Sequence, residues 1–326
     1  MKKYLHNRIA ENILTIYVCA AYGVFTWIIA GLFTHQLWGQ FACMCATGYM
    51  MVEMNRHLIL LRIRSWMMTS VFIMLTACCG FNYESIEAGI IGLCTVFAIY
   101  MLLLTYQIQD DVGHTYYAFL AIGVSSLFVV HILVYIPVVW LLTRLLLQSL
   151  NWRTWAVSLI GIATPYWFAF SWYIYHQDIQ GMTAHFQPLF DIVPVNPTAL
   201  MPLQVLVFIL VTILTVIGAV HFWSTNFRES IRTRMFYYFL QWTGLFVGIF
   251  IILQPQYFNT LIRVFLICTS PFIAHFFTLT SSKVTNYLLF GTLGLVIILS
   301  MISINEPLLN YTNTALYQLW NGSLTF

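Results

Sequence analysis

The sequence YYAFLAIGVSSLFVVHILVYIPVVWLLTRLLLQSL, residues 116–150, carries Arg144 as its one charged residue. An α-helix rises about 1.5 Å per residue, and about 20 apolar residues cross a bilayer. This tract is therefore too long for one transmembrane helix and just long enough for two. A hairpin that reverses between His131 and Pro137 gives eleven spans in the whole chain, and a single helix gives ten.

The composition of the whole chain points to the same class of protein. Of its 326 residues, 61% are hydrophobic and 7% are charged, whereas soluble domains are about 25% charged. This excludes a soluble fold and a disordered chain. The formal net charge of +3 is too small for binding nucleic acid through phosphate contacts. The composition therefore predicts an all-α polytopic transmembrane bundle.

The remaining apolar runs are read as single spans in one integral membrane domain, residues 1–326. The first run is about twenty residues long and is expected to be a retained span rather than a cleaved signal peptide. Residues 176–202 are expected to form an external loop and residues 305–326 an external tail. The predicted single spans cover residues 13–33, 37–52, 66–81, 86–107, 155–175, 203–223, 236–253, 257–279 and 287–304.

The distribution of basic residues favours the hairpin. With a hairpin, one side of the membrane receives every Lys and Arg except Arg263, whereas a single helix moves the cluster from Arg228 to Arg234 to the other side. Because cytoplasmic loops are rich in Lys and Arg, we expect the N-terminus inside and the C-terminus outside a bacterial inner (cytoplasmic) membrane. The residues that share the inner side are Lys2, Lys3, Arg8, Arg56, Arg62, Arg64, Arg144, Arg153, Arg228, Arg232, Arg234 and Lys283.

A basic segment follows the second predicted span. Arg56, Arg62 and Arg64 are candidates for binding anionic lipid headgroups at the inner surface. Glu53, just before Arg56, and His57, just after it, are further polar candidates in this segment. Glu53 stands three residues before Arg56, a spacing that lets the two side chains pair on a helix. The alternative is ordinary anchoring by positive charge together with one local ion pair.

An acidic pair occupies the next inner loop. Asp110 and Asp111 could hold a hydrated Mg²⁺, with His114 as a further candidate ligand. The alternative is a solvated polar turn. The seven cysteines stand in no zinc or redox spacing, so we expect no cofactor and assign no residues to a metal site.

The predicted external loop offers a third group of candidates. General acid or base chemistry there could use His176, Asp178, His185 or Asp191, and the alternative is a polar loop without chemistry. Three further histidines stand singly in apolar runs, and each is expected to bond a neighbouring helix, with a proton relay as the alternative. These are His131, His221 and His275.

Two passages resemble an uncharacterised family of polytopic inner-membrane proteins of Bacteroidota. One is Asn55-Arg56 with LILLRIRSW at residues 58–66. The other runs from Gln107 to Tyr175 and includes NWRTW at 151–155 and TPY at 164–166. The pattern is also faintly similar to polymerases that act on polyprenyl-linked glycans, but it lacks their arginine-rich external loops. The resemblance implies a multi-pass membrane protein and no particular activity.

Three functions follow as hypotheses. The first is a non-catalytic inner-membrane component of a cell-envelope assembly, which contacts membrane lipids and a membrane or envelope protein partner through its spans and external loop. The second is an enzyme or translocator of polyprenyl-linked glycans. The third is an ion-coupled transporter, which would need ionisable residues near the membrane midplane.

Overall fold

Every regular element in the described part of the chain is helical. The computed structural model describes residues 5–189 and 200–320, and no strand occurs among them. The helices are α1 Leu5–Glu11, α2 Leu14–Ile29, α3 Trp38–Leu58, α4 Met67–Ala77, α5 Ile86–Leu104, α6 Val112–Phe128, α7 Ile136–Leu142, α8 Trp152–Tyr175, α9 Ile179–Phe186, α10 Pro202–Thr225, α11 Ile231–Leu253, α12 Phe258–Leu279 and α13 Lys283–Trp320.

Polar residues placed just before the apolar runs start several of these helices. A side-chain oxygen at the N-cap accepts a hydrogen bond from a backbone N–H that has no partner inside the helix. The residue before α8 also forms a capping box, because Thr154 bonds back to its N–H. The N-caps of this kind are Ser85, Asp111, Asn151, Asp178 and Ser230.

Among the described residues, seven helical segments are long and apolar enough to cross a membrane, or eight if the bent pair α1 and α2 forms one span. Large apolar side chains such as Val18 and Trp167 are exposed along these helices, as a lipid-facing surface requires. The chain is therefore built as a multi-pass membrane protein. The count of eleven spans stays a prediction, because three of the expected spans correspond to helices that fall below this criterion: α3, α4 and α6.

The tract at 116–150 folds back on itself. The backbone is extended at Val129, where α6 ends. The following segment, Val130–Leu147, returns along the bundle, so that the Leu147 carbonyl accepts a hydrogen bond from the Gln107 N–H at 2.8 Å. The two halves are thus antiparallel, as the hairpin requires. The reversal begins at Val129, just before the expected window, and Pro137 stands in the first turn of α7, a position that tolerates proline.

Two ends of the bundle can be distinguished from contacts between distant residues. Side-chain or backbone hydrogen bonds join Ser65 to Ala10 and Thr105 to Ser149 at one end, and Gln204 to Asn259 at the other. The first end, called the basic end below, gathers residues 5–12, 53–66, 105–114, 143–153, 226–234 and 280–285. It carries Arg8, Arg56, Arg62, Arg64, Arg144, Arg153, Arg228, Arg232, Arg234 and Lys283.

The core of the bundle is built around α12, which packs against α4, α5, α10 and α11 and is almost entirely buried. Helix α10 approaches it closely at Gly218, where an added Cβ would lie 2.6 Å from the Phe272 carbonyl oxygen. Helix α4 is short, and all of its residues except Ile73 are buried. The short helix is therefore covered by protein rather than by lipid.

Candidate functional site

The basic segment predicted from sequence is a helix end followed by an ordered loop. Helix α3 ends at Leu58, and Ile59 caps it in the left-handed conformation, with φ at 51°. The loop at 59–66 is then held to α3 by Asn55, whose amide donates to the Ser65 carbonyl at 2.9 Å and accepts from the Leu61 N–H. Ser65 in turn donates to the Ala10 carbonyl of α1 at 2.6 Å.

This loop brings three arginines to one cavity. The cavity has a volume of about 330 Å³, and Arg56, Arg62 and Arg64 all line it together with Asn55 and Trp66. We call it the headgroup cavity. Each guanidinium carries five N–H donors in a planar fork, so the lining is rich in donors that match phosphate or carboxylate oxygens.

Carboxylates compensate these arginines only in part. Arg56 pairs with Glu53, with Nη2 to Oε1 at 2.9 Å, and Arg62 lies 3.9 Å from Glu229. Arg64 forms no ion pair with any other residue that the structure describes. Since Arg56 is 69% exposed, its pair with Glu53 is screened by water and weak. The cavity therefore keeps a positive potential.

Glu53 and His57 support the cavity rather than line it. Glu53 accepts a hydrogen bond from Arg56, and its Oε1 is 2.6 Å from His57 Nε2. The His57 ring also contacts the edge of Tyr100 on α5. These contacts fix the last turn of α3, from which Arg56 projects.

Two further cavities follow in succession from the headgroup cavity toward the apolar part of the bundle, and each shares at least one lining residue with the one before it. A second cavity of about 620 Å³ shares Arg64 and Trp66 with the first and is also lined by Glu11 and Asn12 of the α1–α2 connection. A third cavity of about 520 Å³ shares Asn12 with the second. It is lined mainly by apolar side chains of α2, α4, α12 and α13, and Arg8 also lines it. We call the third the tail cavity, and the three together the groove.

The acidic pair has a structural role that sequence reasoning missed. Asp111 caps α6 and lies 2.8 Å from His114 Nδ1. Asp110 accepts from Asn151 and lies 3.5 Å from Arg153 at the start of α8. The carboxylates thus hold the ends of two helices together. Within residues 5–189 and 200–320, no group of three His, Cys, Asp or Glu residues is placed to hold a metal ion.

Among the described residues, no hydrogen bond, ion pair or ring contact joins His176, Asp178 and His185, three of the candidates in the predicted external loop. His176 follows α8 and contacts Trp172, whereas Asp178 caps α9 by accepting from the Gly181 N–H at 2.8 Å. His185 is half-buried, and its ring lies tilted beside Tyr166 and edge-on to Phe186. Asp191 lies outside the described residues.

Arg263, the one basic residue expected away from the others, is buried in the half of the bundle opposite the basic end. Its Nη2 donates to the Asn82 carbonyl at 2.9 Å. Burial raises the pKa of the nearby Tyr83 above its ordinary value, so this phenol is neutral. The charge is therefore held by a bond to the backbone rather than by an ion pair, and it joins α12 to the connection between α4 and α5.

A second polar cluster at the basic end was also missed. His275 on α12 is fully buried, and its Nε2 lies 3.8 Å from Glu229, which in turn contacts Arg62. His221 on α10 lies beside it, with ring centroids 5.4 Å apart. The two histidines looked isolated in the sequence, and Glu229 stands among three nearby arginines, so no sequence spacing connected it with either histidine.

Known proteins add nothing to this geometry: no protein family model, curated protein or solved structure matches the chain. The groove and the polar clusters are the features from which a function is inferred.

Proposed function

We propose that this protein is a non-catalytic integral inner-membrane component of a cell-envelope assembly and that it binds an anionic lipid in the groove. The observation that carries the proposal is the succession of three neighbouring cavities from the three-arginine headgroup cavity to the apolar tail cavity, in which each shares at least one lining residue with the next. An anionic lipid has the same two parts in the same order.

The chemistry of the two cavities fits this ligand. Guanidinium groups bind phosphate through paired N–H donors at fixed geometry, and each basic residue near an anionic surface contributes about 1 kcal/mol. Burial of an acyl chain adds about 0.8 kcal/mol per CH₂ group. The headgroup cavity would thus select negative charge, and the tail cavity would supply most of the affinity.

The proposed orientation follows the positive-inside rule. The basic end faces the cytoplasm, which places the N-terminus inside, the 176–202 segment and the C-terminus outside, and the headgroup cavity at the inner leaflet. Anionic lipids are the natural ligands there. A membrane or envelope protein partner would then contact the exposed helix faces or the outer segments.

The test is the amount and affinity of lipid that the purified protein binds. Replacing Arg56, Arg62 and Arg64 together by Gln removes about 3 kcal/mol at about 1 kcal/mol each, which is a loss of about 150-fold in affinity for phosphatidylglycerol. The matched control replaces Arg144, Arg228 and Arg232 by Gln, because it removes the same charge from the same end away from the headgroup cavity. Equal losses in the two triple variants would reduce the arginines to general anchoring charges.

A second candidate function uses the same groove. A polyprenyl phosphate also joins a phosphate to a long apolar chain, so the groove supports an enzyme or translocator of polyprenyl-linked glycans by the same observation. Mass identification of the lipid that co-purifies in mild detergent separates the two. A glycerophospholipid supports the non-catalytic component, and a polyprenyl phosphate supports the glycan protein. The third hypothesis, an ion-coupled transporter, draws on the buried pair His275 and Glu229.

A further inference from the structure

The pair formed by His275 and Glu229 lies deep in the protein, beside the groove. The His275 side chain is 0% exposed and that of Glu229 is 5% exposed. Aromatic rings of Phe222 and Tyr237 surround the imidazole at 5.3 and 5.4 Å between centroids. Ionisable residues inside a membrane protein are rare and mark functional sites by default.

The hydrogen bonding of His275 is incomplete. Neither ring nitrogen has a hydrogen-bond partner among the described residues, and the hydroxyl of Thr278, one turn later on α12, has none either. A neutral imidazole has one donor and one acceptor, and leaving them unpaired in a buried site is costly. A bound water supplies a missing partner, whereas a proton on the second nitrogen adds a positive charge that faces the Glu229 carboxylate at 3.8 Å.

We propose that His275 and Glu229 form a proton-binding site and that its occupancy controls Arg62 in the headgroup cavity. The proton comes from water and adds to an imidazole nitrogen without breaking any bond in the protein. Histidine is the side chain suited to this role, because its ordinary pKa lies between pH 5 and 8. The link to the headgroup cavity rests on the proposed function, whereas the proton site does not.

Arg62 connects the two sites through Glu229. When His275 is neutral, the Glu229 carboxylate attracts Arg62, 3.9 Å away. When His275 is protonated, the imidazolium competes for the same Oε1 atom, and the positive charge of Arg62 is less offset. An anionic headgroup in the cavity is then attracted more strongly, so lipid affinity rises as the pH falls.

The elements packed around the pair carry other ionisable groups, with α4 as the exception. Helix α5 carries Tyr100 toward this end. The groups to be controlled for are His221 on α10, Tyr237 on α11, Arg62 in the 59–66 loop, and His6 on α1, which bonds the Thr280 carbonyl beyond the end of α12.

The first experiment measures phosphatidylglycerol binding to the full chain in neutral detergent by native mass spectrometry. This lipid keeps one negative charge over the range used. Between about pH 8 and about pH 5.5, the range in which histidine titrates, the wild type gains about fivefold or more in affinity, the size of an ordinary coupling between sites. His275→Gln abolishes this gain, whereas His131→Gln, at the opposite end, retains it.

A second variant distinguishes an effect on the proposed coupling from an effect of misfolding. Glu229→Gln removes the carboxylate that restrains Arg62, so it binds the lipid at about pH 8 as tightly as the wild type does at about pH 5.5. A damaged fold would lower the affinity instead. A wild-type affinity that ignores pH, or a pH response that survives His275→Gln, overturns the coupling.

The proton site has its own readout. In protein labelled with ¹⁵N at histidine, one imidazole signal should convert to the imidazolium form between about pH 8 and about pH 5 and should be missing in His275→Gln. If no such signal titrates, the proton site is refuted whatever the lipid data show. If the signal titrates but no lipid binds at any pH, the proposed function fails and the proton site stands.

Discussion

The close crossing of α10 and α12 can be tested by adding a single methyl group. In Gly218→Ala the new Cβ would lie 2.6 Å from the Phe272 carbonyl oxygen and 2.7 Å from its carbon, both closer than the 3.0 Å that real Cβ contacts respect. Both atoms belong to the backbone, so no side chain can rotate away. The helices must separate, and overpacking of this kind destabilises by about 1–3 kcal/mol.

Gly48→Ala is the matched control. Gly48 lies within α3 and is buried, but nothing lies within 4 Å of the added Cβ. Both substitutions gain the same helix propensity, about 1 kcal/mol over glycine, so this contribution cancels in the comparison. Gly218→Ala should therefore be less stable than Gly48→Ala by about 1–3 kcal/mol.

The assay is thermal unfolding of both variants in the same detergent, in which fluorescence-detected gel filtration measures the folded protein that remains after heating. At about 2–4 °C per kcal/mol, the apparent melting temperature of Gly218→Ala should fall below that of Gly48→Ala by about 2–12 °C. If the two variants have the same melting temperature, α10 and α12 do not cross closely at Gly218. The placement of His221 beside His275, which depends on the same crossing, is then also wrong.

Two further predictions concern topology and helix caps. Single cysteines at Ser230 and at Glu84, in a cysteine-free background, should react only from the cytoplasmic side and only from the outer side, respectively; labelling of both from one side contradicts the proposed orientation. Asn151→Ala removes the capping box of α8 and the hydrogen bond to Asp110. In thermal unfolding in detergent it should lower the stability by about 1 kcal/mol. Asp178 caps only the short α9, so Asp178→Ala should leave the melting temperature unchanged. Equal effects of the two substitutions would show that α8 does not depend on its cap.

Features set by neighbouring residues were predictable from the sequence. The three arginines of the headgroup cavity lie within nine positions of one another, so a single turn and loop bring them together. The hairpin at 116–150 was also predictable, because charge bias along the chain reports which ends lie on the same side. The reversal itself begins at Val129, just before the window from His131 to Pro137 that the sequence suggested.

Contacts between distant segments were not predictable. Asp110 was interpreted as half of a cation site, but its actual partners, Asn151 and Arg153, stand about forty positions later at the start of another helix. Glu229 and His275 likewise meet across two helices. In a chain that is apolar on nearly every face, periodicity does not reveal which faces of two helices meet, so such pairs emerge only from the packing.

The shortness of α4 has a consequence for how the protein enters the membrane. With 11 residues at about 1.5 Å each, the helix is about 16 Å long, roughly half the thickness of the hydrocarbon layer. Such a segment gives a weak signal to the insertion machinery, and its surface is covered by neighbours rather than lipid. Because α12 follows α4 by nearly two hundred residues and packs against it, the burial of α4 is complete only after most of the chain has been synthesised.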